Sequence, residues 1–358
     1  MRILIVTSSF PLDDADSRNA GVFVADTARL LADRGHRVTV VSPQRSTVTG
    51  GFAVRSFPRL GREPSLSHLD PHRPLDLLKL ASVVLGGAVA VPWAAHRERA
   101  DHVVAMWAVP SGLLALLARV LTRTPYSVWA LGSDIWRIRD YPGGRRLLRL
   151  VLRGASNVYA DGLQLADDTA AISGRPVPFL ATSRRLAPPG PPMWRDGRRH
   201  VVAIARFHEH KGIDVLVEAV ALLDDEARRD TGVHVFGDGP MRDGLERRVA
   251  ALGLDDVVRF EGSAGEQLVA DVLASAAVAV IPSRVESIPL LLSDVCQAGT
   301  ELVVTDAGDM GDLVREHSAG RVARRGDAAS LAEELGAALV TGTAGTADGR
   351  RRLAEHLS

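Results

Sequence analysis

Apolar residues along the chain follow two alternating patterns. Short runs of continuous apolar, mostly β-branched residues are separated by longer stretches in which apolar residues recur at every third or fourth position. A continuous apolar run indicates a strand buried on both faces, and the longer period indicates a helix with one buried face. The strands predicted in the first half are Ile3–Thr7, Val38–Val41, Val103–Met106, Tyr126–Ala130, Asn157–Ala160 and Val177–Phe179. This alternation predicts a parallel, doubly wound sheet, whose ligand site lies beyond the carboxyl ends of its strands.

The alternation stops once, in a segment that contains four prolines, and then restarts. Because proline is excluded from helix interiors and central strands, this segment, 187–199, is predicted to be a linker. The strands predicted after it are Val201–Ala205, Val233–Phe236, Val257–Phe260, Val278–Ile281 and Leu302–Val304. We therefore predict an α/β fold with two Rossmann-like domains, 1–186 and 200–340, and a C-terminal tail or helix over 341–358 that packs back on the first domain.

Val22–Arg34 has a helical period and ends before a glycine suited to a C-terminal cap, so it is predicted to be a helix.

Three features bear on where in the cell the protein is found. The apolar run Leu77–Ala95 contains a lysine, two glycines and a proline, so we predict a packed helix with a break and not a membrane span. The opening strand is too short for a signal-peptide core, and the single cysteine, Cys296, lies in an apolar run as a core residue. We expect a cytoplasmic protein without an internal disulfide.

The chain carries equal numbers of basic and acidic side chains, but they are unevenly distributed between its two halves. The chain has 43 basic and 43 acidic side chains, so its net charge does not call for a nucleic acid partner. Residues 1–190 carry 24 basic and 15 acidic side chains, whereas residues 191–358 carry 19 and 28. The first half is therefore the half that would meet an anionic surface or substrate.

The segment 205–212 has the composition of an anion-binding loop. Arg206 and Lys211 flank the turn between a predicted strand and the next helix. Backbone N–H groups and the dipole at a helix start attract the same charge as these side chains, so a diphosphate fits. The chain has 41 Arg and only two Lys, and one lysine stands here. A solvated surface loop is the alternative, while a metal site on His208 and His210 lacks a third ligand nearby.

Two carboxylates mark the loop and helix that follow the predicted strand Val278–Ile281. Glu286 lies in the loop, and Asp294 falls in a helix expected to start near Pro289, a favoured first-turn residue. Both acids can then face one ligand. Because a carboxylate accepts hydrogen bonds from vicinal hydroxyls, such a pair suits a sugar together with a ribose. Complementarity to the helix dipole explains the same acids without a ligand.

Arg206 with Lys211, and Glu286 with an acid eight positions later, resemble the donor half of the retaining glycosyltransferases of family 4. The similarity covers nearly the whole chain. The segments that look like the family's start and its second-domain loops are Ile3–Thr7, Ala20–Phe23, Arg34–Val38, Phe236–Pro240 and Phe260–Gly262. The resemblance implies a GT-B fold, in which an N-terminal acceptor domain and a C-terminal donor domain face each other across a cleft. It also implies a transfer that needs neither a metal nor another cofactor.

The same resemblance implies a role for each matching residue. Arg206 and Lys211 would hold the donor diphosphate and stabilise the leaving group, and Glu286 would grip the hexose, as the three catalytic residues. Asp294 would bind the ribose. Gly21 would let a first-domain loop approach the diphosphate closely. The other donor-binding positions, at the helix start, in the second-domain loops and beside the base, are Ile288, Leu290, Leu291, Gly239, Glu261 and Gly262.

Three positions depart from the family's pattern. Leu131 stands where many members have a histidine that helps to position the donor sugar and phosphate. Asp294 replaces a glutamate that is longer by one methylene, and Leu180–Arg185 replaces a Pro-Asn-Gly segment. We expect either that Asp134 or another polar group takes over from the missing histidine, or that activity is reduced.

The function implied is transfer of a hexose from a nucleoside-diphosphate sugar to a hydroxyl of a glycan, lipid-linked or small-molecule acceptor. Retention of configuration comes from the resemblance, since the chain shows no glycosidase-type acid pair. Two alternatives stay open: a noncatalytic relative that binds a nucleotide sugar, and a GT-B sugar-nucleotide epimerase. A nicotinamide dehydrogenase is disfavoured, because the first strand is not followed by Gly-x-Gly-x-x-Gly.

Candidate acceptor contacts lie near the ends of first-domain strands, at Trp107, Asp134 and Trp136. Indole rings stack on sugars, but large aromatic residues are also common in α/β cores.

A predicted helix carries Arg145, Arg149 and Arg153 on one face. Such a face could rest on anionic lipid headgroups, so peripheral contact with the inner face of the membrane is a further expectation. A solvated face of a core-packed helix is the simpler explanation of the same arginines.

Overall fold

A computed structural model describes residues 1–13, 21–61, 73–182, 184–341 and 345–357. These residues form two compact units, Met1–Ala181 and Thr182–Ser358. The division falls slightly before the predicted end of the first domain at 186. Predictions that involve Ala20 or residues 342–344 lie outside the described residues.

The first unit contains a sheet of six parallel strands in the order β3-β2-β1-β4-β5-β6. Its strands are β1 (Arg2–Val6), β2 (Arg37–Ser42), β3 (Ala53–Ser56), β4 (His102–Met106), β5 (Tyr126–Ala130) and β6 (Asn157–Ala160). Its helices are α1 (Val22–Asp33), α2 (Pro74–Arg97), α3 (Leu113–Thr122), α4 (Ser133–Arg139), α5 (Gly144–Gly154) and α6 (Leu163–Ser173). The central strands are almost wholly buried, as their continuous apolar runs predict.

The second unit repeats this architecture in the order β12-β11-β10-β7-β8-β9, again with parallel strands. Its strands are β7 (Arg199–Ile204), β8 (Thr231–Phe236), β9 (Val258–Gly262), β10 (Val278–Ile281), β11 (Glu301–Thr305) and β12 (Arg321–Ala323). Its helices are α7 (Ile213–Ala221), α8 (Asp225–Arg229), α9 (Arg242–Ala251), α10 (Glu266–Ser275), α11 (Leu290–Ala298), α12 (Met310–His317), α13 (Ala328–Thr341) and α14 (Ala347–His356). Each unit has its own apolar core.

All but one of the predicted strands are present, with ends that differ by no more than two residues. The exception is Val177–Phe179, which makes only an isolated bridge between Phe179 and Ala160. Prolines occupy positions 176 and 178, and because proline has no N–H, a longer ladder cannot form there. The prediction of a strand at this position is wrong.

Two strands were absent from the sequence predictions, β3 and β12. Both lie at sheet edges, and neither has a continuous run of large apolar residues. The other two edge strands, β6 and β9, were predicted, so what β3 and β12 lack is the apolar run itself, which is the signal used to find strands.

Helix α2 runs unbroken through Pro92, so the predicted break is wrong. The two glycines of the run are contact points. A Cβ on Gly87 would lie 2.5 Å from the Leu114 side chain, and one on Gly86 would lie 2.6 Å from the Pro58 carbonyl oxygen. By length and composition, α2 is also the one helix among the described residues that could cross a membrane, with 28% of its most apolar window buried.

The proline-rich segment that follows Thr182 is fixed to the second unit. The backbone N–H groups of Gly190 and Met193 donate to Asp271 at 2.7 Å and Ser275 at 3.1 Å, both on α10. Trp194 stacks on His200 with ring centroids 4.4 Å apart. The predicted linker therefore packs along one face of this unit.

The predicted C-terminal helix is α14, which packs on α11 and α12. Thr346 caps its start by accepting from the Gly349 N–H at 2.8 Å. Arg350 forms a buried ion pair with Glu301 at 2.8 Å. The tail that was expected to pack on the first domain is thus a helix of the second unit.

Candidate functional site

The loops that carry the predicted donor residues meet at one edge of the second sheet. β7 lies between β8 and β10, so the chain order reverses at the boundary of β7 and β10. Such a switch point leaves a crevice beyond the carboxyl ends of the strands. The predicted anion loop follows β7, and the loop with Glu286 follows β10. The topology therefore brings both predicted motifs to this crevice.

The loop after β7 is shaped by a buried aromatic residue and a glycine. Phe207 is fully buried, whereas Arg206 beside it is exposed. Gly212 has a φ of +67°, and a Cβ there would lie 2.0 Å from the Pro282 carbonyl oxygen. Only glycine tolerates both the backbone conformation and this approach. Gly212 therefore sets the start of α7 and the contact between the two loops.

The structure brings two of the three predicted catalytic residues into direct contact. Lys211 Nζ donates to a carboxylate oxygen of Glu286, and both side chains are 16% exposed. Ser283 Oγ also donates to this carboxylate, at 3.3 Å. A carboxylate that accepts from an ammonium group and a hydroxyl is fixed in orientation.

Further bonds join the loops after β7 and β10. The His210 carbonyl accepts from the Arg284 N–H at 2.8 Å and the Val285 N–H at 3.2 Å. The Arg284 guanidinium donates to the two Asp214 oxygens at 2.7 and 2.6 Å. Although partial burial favours the neutral acid, the bonds from Arg284 hold the pKa of Asp214 below its usual value. The loops after β7 and β10 are therefore held in a fixed arrangement relative to each other on one side of the crevice.

His210 lies beside the Lys211–Glu286 pair. Burial and the neighbouring Lys211 charge lower its pKa, and Glu286 opposes this effect only in part. A neutral imidazole at neutral pH leaves the positive charge of this loop to Arg206 and Lys211. Among the described residues, no group of three His, Cys, Asp or Glu side chains is placed to hold a metal ion.

The helix that follows Glu286 begins one residue after its predicted start, with Pro289 as N-cap and Leu290 as its first residue. The Ile288 side chain is buried, while Leu290 and Leu291 are half-buried. The first N–H groups of a helix have no partner within it, so this turn presents backbone donors at the crevice. If this turn binds the donor, as predicted, it does so through backbone N–H groups and not through these three side chains.

Asp294 occupies a different environment from Glu286. Its side chain is 1% exposed and is paired with Arg184, whose Nη2 lies 2.6 Å and whose Nε lies 3.1 and 3.2 Å from the carboxylate oxygens. Burial raises the pKa of Asp294, and the Arg184 contacts oppose the rise. Gln297 bonds to the same segment through the Arg184 carbonyl at 2.8 Å. Through Arg184, Asp294 thus holds the segment at the start of the second unit against α11.

The remaining predicted donor positions of this unit lie after β8 and in β9. Gly239, at φ +157°, approaches Phe207, and a Cβ there would lie 2.7 Å from its carbonyl oxygen. Gly262 has a φ of +77°. Glu261, 36% exposed, accepts a hydrogen bond from His234 Nδ1 at 2.8 Å. These loops lie beside the β7 loop, at the same end of the sheet.

In the first unit, Gly21 is the N-cap of α1. A Cβ at this position would lie 2.1 Å from the Ser9 carbonyl oxygen. The loop after β1 therefore needs glycine for its own packing, independently of any ligand.

Asp134 joins two strand-end loops of the first unit. It is buried and accepts hydrogen bonds from the N–H groups of Ala108, after β4, and Leu131, after β5, the latter at 3.0 Å. Burial raises its pKa to about 6, and the backbone bonds oppose the rise. Asp134 therefore fixes the backbone at the position where the family's histidine is missing.

The two predicted acceptor-side tryptophans are both partly buried. Trp136 Nε1 donates to Asp168 at 2.8 Å. Trp107 packs edge-on against Phe23, with ring centroids 5.7 Å apart. Each ring is held by the unit and retains exposed surface.

The arginine face of α5 is largely occupied. Arg149 and Arg153 donate to the carbonyl oxygens of Ile172 and Ser173 at 3.3 and 3.0 Å. They cap the C-terminus of α6, where cations are favourable. The structure favours the simpler explanation of this face.

Sequence reasoning missed Arg184, Ser283 and His234, which hold Asp294, Glu286 and Glu261 respectively. Arg184 and His234 lie 110 and 27 positions from the acids they contact, whereas Ser283 lies in the same loop as Glu286. Buried Asp294 demands a partner, but sequence spacing does not identify it.

The two parallel-sheet units define a fold class, and the family follows from comparison with known sequences. A family model described as "Glycosyl transferases group 1" matches residues 198–340, and one described as "Glycosyl transferase 4-like domain" matches residues 20–183. The chain belongs to the group 1 glycosyltransferases of family 4, with the GT-B fold.

Individual relatives agree with this assignment. The D-inositol 3-phosphate glycosyltransferase of Geodermatophilus obscurus is 28% identical over 92% of this chain and 80% of its own length. The alpha-D-kanosaminyltransferase of Streptomyces kanamyceticus is 28% identical over 36% of this chain and 33% of its own. Anabaena HepE, solved with UDP and glucose, has a TM-score of 0.73 at 18% identity and covers 99% of this chain and 95% of its own. The protein is a nucleotide-sugar glycosyltransferase.

Proposed function

We propose that the protein transfers a hexose from a nucleoside-diphosphate sugar to an acceptor hydroxyl, with retention of configuration and without a metal. The observation that carries this proposal is the Lys211–Glu286 pair at the switch point. It supplies, side by side, a cation for the diphosphate and a carboxylate for the sugar hydroxyls. Exposed Arg206 and the first N–H groups of α11 supply further donors for the diphosphate.

Charge compensation supports a route without a metal. As the bond between the anomeric carbon and the diphosphate oxygen breaks, negative charge grows on the leaving group, and Arg206 and Lys211 offset it. The acceptor oxygen forms its bond to the anomeric carbon from the same side. Its proton passes to the departing phosphate oxygen, so the step needs no protein base.

The first donors to test are UDP sugars, because HepE was solved with UDP-glucose. The experiment is a thermal-shift and hydrolysis panel of UDP, GDP and ADP with their hexose conjugates, run with and without EDTA, on wild type and Glu286→Ala. We expect one nucleotide to stabilise both proteins, its sugar conjugate to be consumed only by wild type, and EDTA to change neither result. The anomeric configuration of the product, read by NMR, tests retention.

Two results would contradict the transferase reaction, and a third would contradict only the route without a metal. Binding of a nucleotide sugar without turnover, with acceptors present, would make the chain a noncatalytic binding relative. Conversion of the donor into an epimeric nucleotide sugar would make it an epimerase. Inhibition by EDTA, reversed by a divalent cation, would refute the metal-free route alone.

We further propose a cytoplasmic protein that touches an anionic membrane through α2. Five of its side chains form an exposed apolar stripe: Leu75, Leu78, Leu85, Val89 and Trp93. The stripe is about 27 Å long at the rise of an α-helix. At one end, the guanidinium groups of Arg55 and Arg97 lie 5.4 and 5.5 Å from the Trp93 ring centroid. Tryptophan with arginines beside an apolar face suits the headgroup region.

Charge favours a bilayer over a second copy of the chain as the occupant of the stripe. Residues 1–181 carry 22 basic and 15 acidic side chains, so two copies of this unit would repel each other. The attraction to anionic lipid acts in the opposite sense.

Co-sedimentation with vesicles, with and without anionic lipid, tests this contact. We expect wild type to bind anionic vesicles, Leu85→Glu with Val89→Glu to abolish binding, and Leu222→Glu, an exposed leucine of the second unit, to have no effect. A stripe variant that binds vesicles like wild type would refute the proposal. A dimer in light scattering that wild type and Leu222→Glu form, but Leu85→Glu with Val89→Glu does not, would also refute the proposal.

A further inference from the structure

Two histidines in the second unit are buried side by side. His200 on β7 and His234 on β8 are each 6% exposed, and His200 Nδ1 lies 3.0 Å from His234 Nε2. At the outer ends, His200 Nε2 lies 2.9 Å from Asp196 Oδ1, and His234 Nδ1 lies 2.8 Å from Glu261 Oε1. These four residues form one unbroken chain of hydrogen bonds, which we call the histidine relay.

A proton count shows that the relay is not satisfied by neutral histidines. Its three hydrogen bonds lie between two carboxylates, which only accept when ionised. Each bond therefore needs a ring N–H, and two neutral imidazoles supply only two. All three bonds form only when the relay takes up one additional proton. Without that proton, one bond is replaced by two facing lone pairs.

Two neighbouring residues fit such a protonated pair. Gly232 lies beside the central bond, and a Cβ there would be 3.1 Å from His200 Nδ1 and 3.3 Å from His234 Nε2. A larger residue would crowd the point where the rings meet. Trp194 stacks on both rings, with centroid distances of 4.4 and 4.6 Å. The negative face of an indole favours a positive charge on the imidazoles.

We propose that the histidine relay shares a single additional proton, and that in this state His234 holds the Glu261 carboxylate in place for the nucleoside end of the donor. The second half rests on the proposed function and on the family resemblance, which implies that Glu261 lies beside the base. His234 is then a positioning residue: it engages Oε1 and keeps the carboxylate at one orientation at the edge of the crevice.

Charges of both signs surround the relay. Asp196, on the proline-rich segment, and Glu261, on β9, favour it, whereas Arg259, the cross-strand partner of His234, opposes it. Arg198 bonds the Thr231 carbonyl at the start of β8. Burial lowers the pKa of His234, and Glu261 opposes this. We therefore expect proton uptake on mild acidification.

Asp196→Asn is the decisive variant, because an asparagine can donate. With its amide N–H directed to His200 Nε2, two neutral imidazoles complete all three bonds, and the additional proton is no longer required. Asp196 is half-exposed, so the exchange leaves the core intact. Gly232→Ala is the second variant, since it crowds the central bond and leaves all four relay residues in place.

Nitrogen-15 NMR of the histidine rings between pH 8 and 5 tests the shared proton without any ligand. In wild type we expect His200 and His234 to titrate together and to take up one proton, and in Asp196→Asn to stay neutral over this range. Gly232→Ala should separate the two titrations. Independent uptake of two protons in wild type, or the same titration in Asp196→Asn as in wild type, would overturn the relay.

Calorimetric titration with UDP, or with whichever nucleoside diphosphate the thermal-shift panel selects, tests the positioning of Glu261. Relative to Asp196→Asn, wild-type affinity should fall by up to about five-fold from pH 5.5 to 8, the full effect being reached where the bond lost with the proton is the one between His234 and Glu261. Equal pH profiles in the two proteins, with Glu261→Gln weakened, would overturn the positioning role alone. Nucleotide binding unaffected by Glu261→Gln would overturn it as well. Absence of nucleotide binding by wild type would refute the proposed function, while the NMR result would still decide the shared proton.

Discussion

At the scale of single residues, the site depends on which charges are paired and which are exposed. Arg206 is exposed, whereas Lys211 is in contact with Glu286. We expect Arg206→Ala and Lys211→Ala each to weaken nucleoside-diphosphate binding roughly ten-fold or more, because each removes a charged donor. Isothermal titration measures this. Lys79→Ala, at the only other lysine of the chain, is the control, and equal losses in all three variants would contradict the assignment.

The pair of Asp294 and Arg184 gives a second prediction. Asparagine at 294 leaves a largely buried guanidinium, 14% exposed, without its counter-charge, so we expect a loss of about 3 kcal/mol in the free energy of unfolding. Asp306→Asn, in a half-exposed pair with Arg315, should cost under about 1 kcal/mol. Urea denaturation measures both. A stable Asp294→Asn with weakened nucleotide binding would instead support the ribose role implied by the family resemblance.

Asp134 gives a prediction about pH. Burial raises its pKa to about 6 in the folded protein, from a model-peptide value of 3.8. The folded state therefore binds more protons than the unfolded state between these values, and this residue's contribution to stability falls as pH rises from 4 to 6. Asp134→Asn should lack this component, although it is less stable throughout. Unfolding free energies of both proteins at several pH values in this range measure the difference in slope, and equal slopes would contradict the prediction.

At the scale of elements, strand-end loops are held together by glycines that permit close approach. Gly212 and Gly253 have nearly the same positive φ, 67° and 65°, but only Gly212 has a backbone carbonyl in the path of a Cβ. We expect Gly253→Ala to cost about 1 kcal/mol from backbone strain. Gly212→Ala should cost more and also lower turnover, because it separates the loops that carry Lys211 and Glu286. Denaturation and donor hydrolysis measure this, and equal effects on stability would contradict the loop contact.

The strands and helices also show how much of the fold can be predicted from the apolar periodicity of the sequence. Buried strands such as β5 and β10 were predicted to the residue, since every residue of each is buried and their sequences are wholly or mostly apolar. Strands β3 and β12 were missed because neither contains a continuous run of large apolar residues. Helix α2 was predicted as a helix, but its break was not found, because Gly86 and Gly87 serve tertiary contacts that no local rule describes.

At the scale of the whole molecule, the two units have separate cores and separate sheets. We expect two transitions in scanning calorimetry, since a unit with its own core unfolds as its own cooperative block. A bound nucleoside diphosphate should raise the transition of the second unit by mass action, because the proposed diphosphate and base contacts lie in that unit. The expressed second unit, scanned alone, identifies its transition. An equal rise of both transitions would contradict this division.

The sequence by itself determined the α/β class, the two-domain organisation, the buried strands and the residue types of the donor loops. These properties depend on local periodicity and on motifs whose members lie close together in the chain. Only the tertiary structure decided what each charged group contacts: Glu286 meets Lys211, Asp294 meets Arg184, and Glu261 meets His234. The physical reason is that the packing of parallel strands brings together residues that are far apart in the chain, and that a charge removed from water, as at Asp294, must be paired there.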